Sequence, residues 1–189
     1  MGRIVVTEFV SLDGVMEDPG GSEKSKHGAW TFAFDRGEEG DRFKLDELLE
    51  ADAQLLGRVT YEGFAAAWPS YSDNVGFADR MNSMPKYVVS KTLQSADWNN
   101  STILSGDVVD DVKKLKHDIA GVILVAGSAQ LVQTLLENDL VDELRLMVFP
   151  VVLGSGKRLF GETSDKKTMQ LASSEIVGDG IAILTYRRV

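Results

Sequence analysis

Three short stretches of the chain place cations and hydroxyls where an apolar run ends in a turn: Gly57-Arg58 with Thr60, Ser90-Lys91-Thr92, and Ala126-Gly127-Ser128-Ala129. Arg58 and Lys91 bring positive charge, and the serines and threonines bring hydroxyl donors. The first and third stretches open amphipathic segments, whose free N–H groups and positive dipole end favour an anion. Thr60 is expected to cap the first of these helices, with Glu62 as an acceptor in its first turn. Such a set suits a ligand carrying several separated phosphates. A carboxylate with a different use is Asp41, which falls one turn before Leu45 on the face shared with Leu48 and Leu49. That spacing aims Asp41 at the interior, where burial raises a carboxyl pKa and lets it hold a proton; an N-terminal cap is the simpler role. Glu38 and Glu39 lie within a turn of it and compete for the acid role.

The elements that must position these groups follow from the hydrophobic pattern. Strands are expected over 3–10, 53–56, 86–89, 102–104, 121–125, 142–149, 169–177 and 181–187, and helices over 41–51, 60–67, 75–84, 107–118 and from Ser128 to about 137. Helical connections between the early strands require parallel pairing, whereas Gly178-Asp179-Gly180 reads as a tight hairpin. The expectation is a three-layer α/β/α fold with a mixed, mostly parallel sheet of about eight strands and an antiparallel C-terminal hairpin. Residues 17–40 form a long polar loop carrying Trp30, Phe32 and Phe34, the length at which loops are usually lids or binding segments. Trp30, Trp68 and Phe149 are candidate walls of a substrate pocket, with ordinary core packing as the other reading.

Bulk properties remove several classes of function. A chain of 189 residues, 43% hydrophobic and 26% charged, is expected to form one domain over 1–189. A net charge of −9 opposes a phosphate backbone, so no nucleic-acid partner is expected. No apolar run approaches the roughly 20 residues of a membrane span, and Glu8 interrupts the apolar start too early for a signal peptide, so the expected location is cytoplasmic, away from membranes. With no cysteine and only His27 and His117, no metal site is expected. Gly154-Ser155-Gly156-Lys157 fails as a Walker loop because Val151 stands where its first glycine is required and no hydroxyl follows Lys157. The fingerprint G-x-G-x-x-G and the nucleophile elbow G-x-S-x-G are both missing. Apolar surface on Leu140–Phe149 and the terminal strands points to a homodimer.

Five segments in order, RIVVTEFVSLDGVME, GRVTYEGF, KYVVSKTL, ILVAGSAQLV and LVDELRLMVFPVVLGSGKRLF, resemble the dihydrofolate reductase superfamily. The resemblance is closer to its branch related to the reductase (RibD C-terminal) domain of riboflavin biosynthesis. It implies NADPH as cofactor, with Gly57, Arg58 and Thr60 on its phosphates and Arg58, Ser90 and Lys91 near the 2′-phosphate. It also implies pyrophosphate on Gly127, Ser128 and Ala129, Leu12, Asp13 and Gly14 flanking the nicotinamide, and the catalytic acid at Asp41, counted back from Gly57. Ala126 stands where those reductases carry the first glycine of a pair. The loop before Asp41 is longer than in dihydrofolate reductases and lacks their Pro-Trp pair, which argues against folate as substrate. The implied activity is hydride transfer to a C=N or C=O group of a small heterocycle, nearest to reduction of 5-amino-6-(5-phosphoribosylamino)uracil. Two rival expectations stay open, a dihydrofolate or pterin reductase and a non-catalytic nucleotide-binding or dimeric interaction protein on the same fold.

Overall fold

In the computed structural model, which describes residues 1–189, the strands are β1 (Arg3–Ser11), β2 (Ala51–Gly57), β3 (Lys86–Val89), β4 (Ser101–Leu104), β5 (Val122–Val125), β6 (Glu143–Phe149), β7 (Met169–Val177) and β8 (Ile181–Arg188). Helices are α1 (Gly37–Glu50), α2 (Arg58–Ala67), α3 (Phe77–Ser83), α4 (Val108–Asp118) and α5 (Ala129–Glu137), with short 3-10 turns at Trp30–Ala33 and Trp68–Ser70. All eight strands join one sheet in the order β4-β3-β2-β5-β1-β6-β8-β7. From β4 to β6 the pairs are parallel, as helical crossovers dictate, and β8 then pairs antiparallel with both β6 and β7. Strand β5 lies inside the sheet and is buried on both faces, which is why it reads as the uninterrupted run VILV.

Helices α4 and α5 pack Val112, Leu115, Leu131, Val132 and Leu135 against Ile4, Val6 and Ile123 on one side of the sheet. On the other side Leu48 of α1, Tyr61 of α2 and Met81 of α3 meet Val5, Leu56 and Val88. The architecture is therefore three-layer α/β/α. A third cluster, Trp30, Met147, Phe149, Val177, Ile181 and Ile183, lies beneath the 17–40 segment. That segment is braced internally by Asp18, whose carboxylate accepts from the Glu23 and Ser25 amides, and by the Trp30 indole N–H, which donates to the Glu17 carbonyl.

Two helix starts differ from the sequence expectation. Helix α2 begins at Arg58, so Gly57 is its N-cap and Thr60 sits inside the first turn without capping an amide. Helix α1 begins at Gly37, four residues before Asp41. The dimer argument also needs correction, since Leu140, Val141, Leu144, Leu146, Met147 and Phe149 are buried within the chain itself. What stays uncovered is the edge strand β7, exposed along most of its length, with Leu171 and Ile176 facing outward.

Candidate active site

Strands β1, β2, β3 and β5 end on the same side of the sheet, and their carboxyl ends carry all the anion-suited stretches. At the centre, the Gly57 N–H donates to the Gly127 carbonyl at 3.1 Å, which fastens the start of α2 to the turn before α5. The two turns touch with no room for side chains. A Cβ on Gly57 would lie 2.9 Å from both the Cβ and the backbone N of Ser128, and one on Gly127 would lie 2.7 Å from Thr60 Oγ1. Gly127 also has φ +94, a left-handed conformation open to glycine, and its peptide bond to Ser128 is cis. Thr60 thus belongs to this cradle, though as a neighbour of Gly127 and not as a cap. Ser128 is the N-cap of α5, but its hydroxyl caps no amide and is left for another partner. Gly57→Ala is expected to lower unfolding stability by about 1–3 kcal/mol through overpacking against Ser128, measured by urea denaturation.

The cations lie at the neighbouring strand ends. Arg58 pairs with Glu62 one helical turn on, at 2.9 Å, while Asp52 instead accepts from the Val122 amide. Lys91 is exposed. Ser90 is buried; its Oγ accepts from the amides of Thr92 and Leu93 and shapes the turn that presents Lys91 and Thr92. At the end of β1, Leu12 is exposed and Gly14 has φ +78. Asp13 is committed to the fold. The Ser11 hydroxyl first, then the amides of Leu153 and Gly154, hold its carboxyl down to about 2, and so clamp the β1 turn to the 153–154 loop.

Asp41 does not point inward. Its side chain is 64% exposed and held by Arg36 at 2.7 Å, and Glu38 and Glu39 are exposed as well. The leucine-based phase fails because the inward stripe of α1 runs through Gly40, Lys44, Glu47 and Leu48, leaving Leu49 exposed. The buried acid of this helix is Glu47, with its side chain 2% exposed. Lys44 Nζ donates to Glu47 Oε1 and to Thr7 Oγ1 at 2.9 Å, and Thr7 in turn donates to Glu47 at 2.8 Å. The same ammonium lies 4.9 Å from the centre of the Phe9 ring. Sequence reading missed this pair because Lys and Glu three apart on a helix look like a solvated face.

Glu8 was missed as well. On β1 it alternates with Thr7 and Phe9, so its side chain faces the α5 layer, where it is 8% exposed and its Oε1 has no hydrogen-bond partner. Burial pushes its carboxyl up to about 8, a rise increased by the Glu47 charge and opposed by the Lys44 charge and the Gly127 backbone N–H. An isolated acid within a β-branched strand, RIVVTEFV, was the available signal.

The aromatic walls separate into two groups. Trp30 and Phe34 pack edge-on to Phe149, with centroids at 5.3 and 5.8 Å, and Phe149 is fully buried. Trp68 belongs to the other cluster, beside Phe64, Tyr71 and Phe77. The three residues Trp30, Trp68 and Phe149 therefore line no common pocket, and their packing is that of core aromatics.

Known proteins resemble this arrangement along its whole length. A family model, the RibD C-terminal domain, matches residues 3–183. The uncharacterized protein YyaP of Bacillus subtilis is 28% identical over 187 residues, covering 97% of this chain and 94% of that protein. Among solved structures, a protein of Shewanella sp. PV-4 assigned to riboflavin biosynthesis superposes with a TM-score of 0.79 at 24% identity, covering 99% of both chains. Dihydrofolate reductase from Enterococcus faecalis, complexed with NADP(H), superposes with a TM-score of 0.58 at 14% identity, over 98% of this chain and 96% of that one.

Proposed function

The chain belongs to the RibD C-terminal domain family, and on that premise we propose that it is an NADPH-dependent reductase of a small heterocycle, acting in the cytoplasm. The observation that carries this reading is the glycine cradle. Gly57, Thr60, Gly127 and Ser128 meet so closely that main chain and hydroxyls line the turn between the starts of α2 and α5. A pyrophosphate needs such close backbone approach and such N–H groups. Ala126 flanks the cradle and Ala129 opens α5, so the anion lies on backbone and not on bulky side chains.

Bound there, NADPH supplies the hydride. The chain's own residues do the rest. Gly127, Ser128 and Ala129 hold the pyrophosphate, Arg58, Ser90, Lys91 and Thr92 receive the 2′-phosphate, and Leu12, Asp13 and Gly14 shape the turn beside the nicotinamide. Reduction of a C=N or C=O bond adds one hydride and one proton. Lys44 takes the proton-donor role expected of Asp41, because it is the ammonium on the inward face of α1, oriented by Glu47 and Thr7. Uracil-type pyrimidines are the first substrates to try, followed by pterins, flavins and quinones. Oxidation of NADPH with any of them supports the reading, and NADPH binding without turnover on all of them favours a nucleotide-binding protein.

The exposed edge of β7 supports a homodimer, because an edge strand paired on one side only, with Leu171 and Ile176 exposed, is a template for a second copy. Light scattering at micromolar concentration is expected to give twice the mass of the 20.7 kDa chain, and a monomer mass contradicts it.

A further inference from the structure

Glu8 has no part in the hydride or proton transfer described above, and an acid so placed is costly without a use. It is more than nine-tenths buried, its Oε1 is unpartnered, and its carboxyl faces the backbone N–H of Gly127, the turn on which the pyrophosphate is proposed to lie. A buried carboxylate beside a bound phosphate brings two negative charges together where little water screens them. A protonated carboxyl removes that repulsion and turns an acceptor into a donor. The surrounding elements offer no other remedy. Across β1, Lys44 is already committed to Glu47, and Arg145, the neighbour of Thr7 on β6, is committed to Glu50 and Glu143. The first turn of α5, Ala129-Gln130-Leu131-Val132, is uncharged, as are Val125 and Ala126 of the β5 end.

We propose that Glu8 is the ionisable member of the anion site, and that a phosphate-bearing ligand binding on the Gly127–Ala129 turn takes up a proton at Glu8. This rests on the cofactor reading above. Its consequence is an affinity that falls as pH rises: below the free-state pKa of Glu8, near 8, the acid is already protonated and binding needs no proton, and above it each binding event must recruit one. The 2′-phosphate is already a dianion between pH 7.5 and 9, so it does not confuse that window.

The test is calorimetric titration of the intact protein with NADPH at pH 8.5 in two buffers of different ionisation enthalpy. Wild type is expected to take up roughly half a proton or more per NADPH, and its affinity to fall about threefold or more from pH 7.5 to 9. Glu8→Gln is expected to bind without proton uptake and with affinity independent of pH over that range; Glu8→Leu, matched to the apolar neighbours, serves if the glutamine variant does not fold. Difference infrared spectra of the wild type give a second reading, in which NADPH should increase the carboxylic-acid C=O stretch. Binding with no proton uptake, or uptake retained in Glu8→Gln, overturns this proposal and leaves the cofactor reading standing. No NADPH binding at all overturns both.

Discussion

Replacing Lys44 by methionine should cut turnover about a hundredfold or more while NADPH affinity stays within about a factor of two, because general-acid steps contribute about 10²- to 10⁴-fold and the ammonium is bonded to Glu47 and Thr7, not to the residues assigned to the phosphates. The single variant has a structural cost too. Glu47 has its side chain 2% exposed, and losing its cation leaves a buried charge unpaired, worth about 3–5 kcal/mol of stability. The double variant Lys44→Met/Glu47→Leu separates the two effects, since an apolar pair of similar volume restores stability without restoring a proton donor. Recovered stability with turnover still lost assigns the role to Lys44; recovered turnover makes the pair merely structural. Asp41→Asn should change turnover by less than about twofold, because that side chain is exposed and held by Arg36. A hundredfold loss in Asp41→Asn would restore the acid to the position the sequence first suggested.

The contrast between Asp41 and Lys44 shows where sequence reasoning reaches and where it stops. The succession of strands, their helical crossovers and the closing hairpin were legible because each has a period or a turn residue that specifies it: the run VILV for a doubly buried strand, Gly178-Asp179-Gly180 for a hairpin. The turns that end β2, β3 and β5 were legible for the same reason, glycines and hydroxyls closing apolar runs. The inward face of α1 was not. Leu45, Leu48 and Leu49 define a stripe by composition, but tertiary partners decided the phase, burying Glu47 through Thr7 and Lys44 and leaving Leu49 exposed. A hydrogen bond spanning 40 residues, from Thr7 of β1 to Glu47 of α1, leaves no local periodicity. Likewise the fate of Arg58 was open in sequence between Asp52 and Glu62, and only the distance to a distant amide, Val122, removed Asp52 from the choice. Trp30, Trp68 and Phe149 read as walls of one pocket, but Trp68 packs in the cluster over β2 and β3 whereas Trp30 and Phe149 pack in the one over β6 and β8, a separation along the sheet that no one-dimensional pattern encodes.

A preference for NADPH over NADH is the other large effect expected, and on the proposed reading it depends on two cations. The Arg58–Glu62 pair is exposed on both sides, 43% and 48%, and such a surface pair is worth only about 0–1 kcal/mol, so a phosphate dianion competes for the guanidinium with little loss. Lys91 stands exposed at the end of β3, presented by the buried Ser90 turn. One charge-assisted contact to the 2′-phosphate is worth roughly 1.5–3 kcal/mol, about ten- to a hundredfold in affinity. Arg58→Ala or Lys91→Ala should each reduce the NADPH advantage and leave NADH binding nearly unchanged, and added salt should weaken the preference in the wild type. The most direct test of a nicotinamide site at these strand ends is therefore a side-by-side titration of the wild-type protein with NADPH and NADH at low salt. NADPH bound at least about tenfold tighter is the expected result; equal affinity for the two, or binding of neither, contradicts it.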